Sequence, residues 1–303
     1  MTITINIVLF SIVFMIFDFL CFKVEYNKAK KINPAISENY NKIAVPFETL
    51  YNRLIKNNEL RQPEGLNFSK KPIVIFGCSY GYGWGLKAKQ SFSHKLSNYS
   101  SRPVYNKSIP GTGIQYMLYQ LKRDYFYKEI NPPEYIIYVL IDNHVFRLFR
   151  YSFGTIDKEI DVRYKEQLDG SLTEIKPNFM FFRGFCLVKV IQNFIAENRY
   201  LNENNRDKNF DFMKLHFMES KKIIDKKFPD TKFVILKYND TPNSWYLNTK
   251  RWKELEDEGF IVLDSNELTG KSLSSKRYKL DDGHPNEEAW NEIVPAITKQ
   301  LGL

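Results

Sequence analysis

Four short apolar runs constrain this chain most. They are Ile73 to Phe76 (IVIF), Tyr135 to Ile141 (YIIYVLI), Lys232 to Tyr238 (KFVILKY) and Phe260 to Asp264 (FIVLD). Each has the length of a strand and is rich in β-branched or aromatic residues. Continuous apolar runs, as opposed to alternating ones, belong to strands covered on both faces. A shorter run, Val104 to Asn106, reads as a further strand. Segments with helical spacing lie between them: Ser91 to Tyr99, Gly111 to Ile130, Asp211 to Phe228, Trp245 to Glu258, and finally Asn286 to Leu301. Strands alternating with helices predict an α/β fold, a parallel sheet of about five strands with helices on both faces.

The first run opens into a glycine-rich loop, Gly77-Cys78-Ser79, with Gly81, Gly83 and Gly85 beyond. A serine there stands at the carboxyl end of the sheet, where open α/β sheets place their chemistry. A serine hydroxyl is a weak nucleophile until a base takes its proton, and the base needs a third group to hold it. The chain has four histidines. His94 and His216 sit in helical segments, where packing explains them. His284 sits in a loop before the last helix, three residues after Asp281 and two after Asp282. That is where an orienting carboxylate belongs. Cys78, beside the serine, is a rival nucleophile, because a thiolate is intrinsically stronger.

These stretches resemble the SGNH (GDSL-like) hydrolases. Their first block, Gly-Asp-Ser after the first strand, is matched by Gly77-Cys78-Ser79. Their second, a glycine after the second strand, is matched by Gly111 in Asn106 to Gly111. Their third, Gly-x-Asn-Asp after the third strand, survives only as Asn143 in Ile141-Asp142-Asn143-His144. Their last, Asp-x-x-His, is matched by Asp281-Asp282-Gly283-His284. Four weak motifs in the right order make a stronger pattern than any one alone. The resemblance implies a three-layer, flavodoxin-like fold. It implies Ser79 as nucleophile, His284 as base and Asp281 as the orienting acid, with Asp282 as its competitor. The oxyanion hole would be the backbone N–H groups of Ser79 and Gly111 and the side-chain amide of Asn143. Cys78, Tyr80 and His144 are the candidates for the pocket wall. No metal or organic cofactor is implied.

Residues 3–22, ITINIVLFSIVFMIFDFLCF, form an apolar stretch with Asp18 as the one charge. At 1.5 Å per residue it suffices for a bilayer core of roughly 30 Å. No basic start or small-residue cleavage site marks a removed signal, so residues 1–22 read as an uncleaved single-pass anchor, with a buried core helix as the alternative. Lys23, Lys28, Lys30 and Lys31 follow it. That bias puts the main domain in the cytoplasm, whereas membrane-anchored relatives with glycan substrates face outward. Residues 23–70 form a polar connector and residues 71–303 the main domain. An insertion at about 145–209 carries Phe146, Phe149, Tyr151, Phe153, Phe179, Phe181, Phe182 and Phe185 among Arg147, Arg150 and Arg183. It reads as ordinary core, as a cap, or as a surface lying against the membrane. Within it, Asp169-Gly170 marks a hairpin turn.

The formal net charge is +9, but the basic residues are spread and mixed with acids, which argues against nucleic acid. The three cysteines form neither a disulfide framework nor a zinc pattern. The expected function is acyl transfer from an O-acyl, foremost O-acetyl, group on a cell-envelope or surface glycan to water or to a hydroxyl. A lipid ester is the alternative among enzymes. A non-catalytic glycan-binding or assembly scaffold is the alternative outside them, motivated by Cys78, Ile141 and His144.

Overall fold

The computed structural model describes residues 67–123, 130–149, 163–175, 194–195 and 198–303. The expected anchor, most of the connector and most of the aromatic insertion lie outside the described residues. Among the described residues no helix is long and apolar enough to cross a membrane.

Five parallel strands form the central sheet: β1 (Ile73–Gly77), β2 (Val104–Asn106), β3 (Tyr135–Leu140), β6 (Lys232–Lys237) and β7 (Ile261–Asp264), in the order β2-β1-β3-β6-β7. That is the doubly wound order of flavodoxin-like sheets. Because side chains alternate along a strand, the apolar runs feed two cores. Val74, Phe76, Ile136, Tyr138, Phe233 and Ile235 enter one, and Ile73, Ile75, Ile137, Val139, Val234 and Leu236 the other.

Helices cover both faces. The first core is closed by α3 (Ile114–Leu121), α5 (Arg206–Lys227) and α7 (Trp252–Asp257), through Met117, Phe217 and Leu255 among others. The second is closed by α2 (Phe92–Ser100) and α9 (Glu287–Leu301), with Phe92 stacked on Trp290 at 4.7 Å between ring centroids. Ser91 and Asn286 cap these two helices at their N-termini, each accepting from a backbone N–H three residues on.

Between β3 and α5 lies a two-stranded antiparallel hairpin, β4 (Tyr164–Glu166) and β5 (Leu172–Glu174), turning at Asp169-Gly170. Tyr164 and Leu172 pack with Tyr116, Leu118 and Tyr119 of α3. The described insertion aromatics also pack inward: Phe149 stacks on Phe212, and Phe146 lies against Tyr200.

The segment 111–130 opens with its expected glycine-rich turn, Gly111 at φ +83° and Gly113 as the extended N-cap, and α3 follows from Ile114; residues 124–129 lie outside the described residues. One expected helix differs. The one over 245–258 splits into α6 (Trp245–Asn248) and α7, since Thr249 is extended and the Asn248 amide turns back to the carbonyls of Pro242 and Ser244.

Candidate active site

The chain leaves β1 at Gly77 and enters a one-turn helix, α1 (Ser79–Tyr82), so Ser79 stands at the carboxyl end of the sheet. Two glycines make this turn possible. A Cβ on Gly81 would lie 2.5 Å from Ser108 Oγ, so α1 packs against the loop after β2 only with glycine there. Gly83 ends the helix with φ +81°.

His284 arrives from the loop before α9, 205 residues away in sequence, and its Nε2 lies 2.8 Å from Ser79 Oγ. Its loop is closed by backbone bonds, Leu280 N–H to His284 O at 2.7 Å and Asn286 N–H to Tyr278 O at 3.0 Å.

Asp282, not Asp281, sits behind the ring. Its Oδ1 lies 3.1 Å from His284 Nδ1 and also accepts the His284 backbone N–H at 3.1 Å. The ring contact is close but off the line of the N–H, so Nδ1 forms no aligned hydrogen bond. Asp281 is exposed and has no hydrogen bond or ion pair with a described residue. The reason is the turn: the bond from Gly283 N–H to Leu280 O folds the loop so that the carboxylate two residues before the histidine meets its ring.

Tyr80 lies between the turn that carries Ser79 and the loop that carries His284. Its hydroxyl donates to Asp240 Oδ2 at 2.8 Å, and its ring lies 5.3 Å from the His284 ring. Burial, then the nearby Asp240 charge, holds its phenol far above the usual range, so it stays a neutral donor. Lys279 Nζ lies 3.5 Å from the same carboxylate oxygen.

The three expected oxyanion donors have no acceptor among the described residues. Ser79 opens a helix, so its N–H has no intrahelical acceptor. Gly111 N–H and the Asn143 amide bond to no described residue. Ser79 and Asn143 share a cleft of about 490 Å³ with Tyr80, Asp142, Arg147, Tyr200, Asp240, Thr241 and His284. Gly111 is exposed but not among the residues lining that cleft.

Two expected wall residues are corrected. Cys78 is fully buried, packed in the core with Ile73, Ile75 and Trp290, and does not line the cleft. Its burial argues against it as the rival nucleophile, although its Sγ lies 3.8 Å from Ser79 Oγ. His144 is fully buried too, with Nδ1 2.9 Å from the Tyr138 hydroxyl. Burial, then the Arg147 charge, pushes its pKa well below the usual imidazole value, so it is neutral.

Sequence reasoning missed Asp240 and Arg147 as cleft residues. Asp240 follows β6 at the carboxyl end of the sheet, which is itself a signal for chemistry. Arg147 lies four residues after Asn143 on α4 (Asn143–Arg147), one helical turn away. Among the described residues no group of three or more His, Cys, Asp or Glu side chains is arranged to hold a metal.

No family model and no curated protein sequence matches this chain. Solved structures do overlap it. A member of the lipolytic protein G-D-S-L family from Veillonella parvula has 10% identity over 76% of this chain and 97% of its own, with a TM-score of 0.45. A carbohydrate esterase family 2 enzyme with a carbohydrate-binding domain, from Corynascus thermopiles (Myceliophthora fergusii), has 14% identity over 80% of this chain and 69% of its own, with a TM-score of 0.46. A lipase from a goat rumen metagenome has 10% identity over 76% and 97%, with a TM-score of 0.46. Likeness this distant carries no residue roles across, and those rest on the geometry above.

Proposed function

We propose that this protein is a serine esterase of SGNH type. It removes or transfers an O-acyl group, foremost O-acetyl, on a cell-envelope or surface glycan, and residues 3–22 hold it at a membrane. The observation that carries the enzymatic reading is the 2.8 Å contact between Ser79 Oγ and His284 Nε2 at the wall of an open cleft. Ser79 Oγ attacks the ester carbonyl while His284 takes its proton. The oxyanion is met by donors from Ser79 and Asn143, and Gly111 is the third expected donor. His284 then protonates the departing alcohol, and a water or acceptor hydroxyl releases the acyl group by the reverse path. Asp282 supports the imidazolium formed in each half.

The glycan rests on the family resemblance together with the expected anchor, and the anchor on the length and apolarity of residues 3–22. The test uses the full-length chain in detergent. It measures nitrophenol release from 4-nitrophenyl acetate and acetate release from an O-acetylated polysaccharide. Ser79→Ala and His284→Ala each lower turnover on the order of 10⁴-fold or more, while Cys78→Ala retains it. Activity that survives Ser79→Ala would overturn the serine mechanism. Chromogenic turnover without acetate release from the polysaccharide would remove the glycan and leave the esterase.

A further inference from the structure

Among the described residues the cleft beside Ser79 is lined by one guanidinium and two carboxylates whose situations differ. Asp240 is occupied: it accepts from the Tyr80 hydroxyl and faces Lys279. Asp142 is occupied as well, with one oxygen accepting from the Tyr200 hydroxyl and the other from the Ser244 hydroxyl. Arg147 is not. It has no acidic partner among the described residues, and its one side-chain hydrogen bond to a described residue runs from Nη1 to the carbonyl of Thr112 at 2.7 Å. A guanidinium carries five N–H donors, so among the described residues most of them have no acceptor.

Arg147 is also held in place. Gln115 Nε2 donates to its backbone carbonyl at 3.1 Å, and its Cβ would come within 3.2 Å of any Cβ on Gly113. Nη1 is fixed on the loop that carries Gly111. Arg147 lines the same cleft as Ser79 and Asn143, and a fork anchored at Nη1 needs less ordering on binding. A pinned guanidinium with no acidic partner among the described residues, in a cleft whose acids already accept hydrogen bonds, matches a ligand that brings an anionic oxo group.

Resting on the esterase reading of this cleft, we infer that Arg147 is a specificity-determining residue that recognises a carboxylate or phosphate on the substrate close to the ester cleaved at Ser79. The substrate class narrows from acylated glycans in general to acidic ones. The shared chemistry is an anionic oxo group met by a planar fork, as a uronate-type carboxylate or a phosphodiester would supply.

The test compares three acetate esters of one phenol scaffold: neutral methyl 4-acetoxybenzoate, anionic 4-acetoxybenzoate and 4-acetoxyphenyl phosphate. The readout is the ratio of kcat/KM for each anionic ester to that for the neutral one. Intrinsic differences in ester reactivity cancel when this ratio is compared between variants. Arg147→Gln, which keeps a donor for the Thr112 carbonyl but no charge, lowers the ratio at least tenfold, and Arg147→Lys recovers part of it. The ester with the larger fall distinguishes carboxylate from phosphate. An unchanged ratio in Arg147→Gln overturns the inference. Calorimetric binding of the same intact esters to full-length Ser79→Ala, with and without Arg147→Gln, gives the answer without turnover. If the wild-type chain hydrolyses none of them, the esterase reading falls, and calorimetry alone decides on Arg147: an anionic preference lost with Arg147→Gln supports it, and no preference in Ser79→Ala sinks it.

Discussion

Asp281 and Asp282 offer a sharp test of the site, because they are adjacent, both exposed, and separated only by which one meets the His284 ring. Replacing Asp282 with Asn removes a charge 3.1 Å from Nδ1 but keeps a side-chain oxygen to accept the His284 backbone N–H. Two unit charges at that distance interact by about 5 kcal/mol at an effective dielectric near 20, and by about 1 kcal/mol in bulk water. The Asp282 side chain is 41% exposed and that of His284 23%, so solvent screens the pair strongly. The low part of that range applies, about 1–2 kcal/mol of lost support for the imidazolium. At 1.36 kcal/mol per decade this is about a 5- to 30-fold fall in kcat. Asp281→Asn, with no described partner to lose, stays within about twofold. The assay is steady-state hydrolysis of a chromogenic acetate ester, with circular dichroism to establish that both variants fold. A larger loss from Asp281→Asn than from Asp282→Asn would refute the reasoning, because the loop would then have to rearrange in the working enzyme.

Three further outcomes follow from the geometry. Asn143→Ala removes an amide donor from the cleft and lowers kcat by about 10²–10³ in the same assay, whereas an effect under threefold would exclude Asn143 from the oxyanion hole. Trp290→Ala opens the core between Phe92 and Tyr238 and costs about 3–5 kcal/mol, read as a lower denaturant midpoint at unchanged m-value. His216 is buried with its pKa lowered to about 4, first by burial. Above pH 6.5 folded and unfolded forms both hold it neutral; between 6.5 and 4 only the unfolded form takes the proton. Its contribution to stability is therefore full above pH 6.5 and declines as the pH falls toward 4, by up to about 3 kcal/mol. Buried His144 acts in the same direction. His216→Leu flattens the denaturation midpoint over that window, and a profile as steep as the wild type would show that His216 is not the group responsible.

The sheet was legible because burial on both faces leaves a strand no polar positions. Ile73–Gly77 and Tyr135–Leu140 read as strands from composition alone, and parallel pairing followed from the helices between them. Helix ends were less legible. The break at Thr249 comes from Asn248 folding back on Pro242 and Ser244, a local competition that apolar spacing does not register.

What the sequence determined by itself was the two candidate positions: a serine in a glycine turn after the first strand, and a histidine in a loop before the last helix. Both are short-range signals, written within a few residues of each side chain. The tertiary structure decided everything that depends on which way a side chain leaves its turn. It put Asp282 and not Asp281 at the ring, and sent Cys78 and His144 into the core although both adjoin site residues. It brought Asp240 and Arg147 into the cleft from elements whose own patterns announce only a strand end and a helical turn. Such choices are set by packing between segments up to 205 residues apart, and no window of local sequence contains the partners that make them.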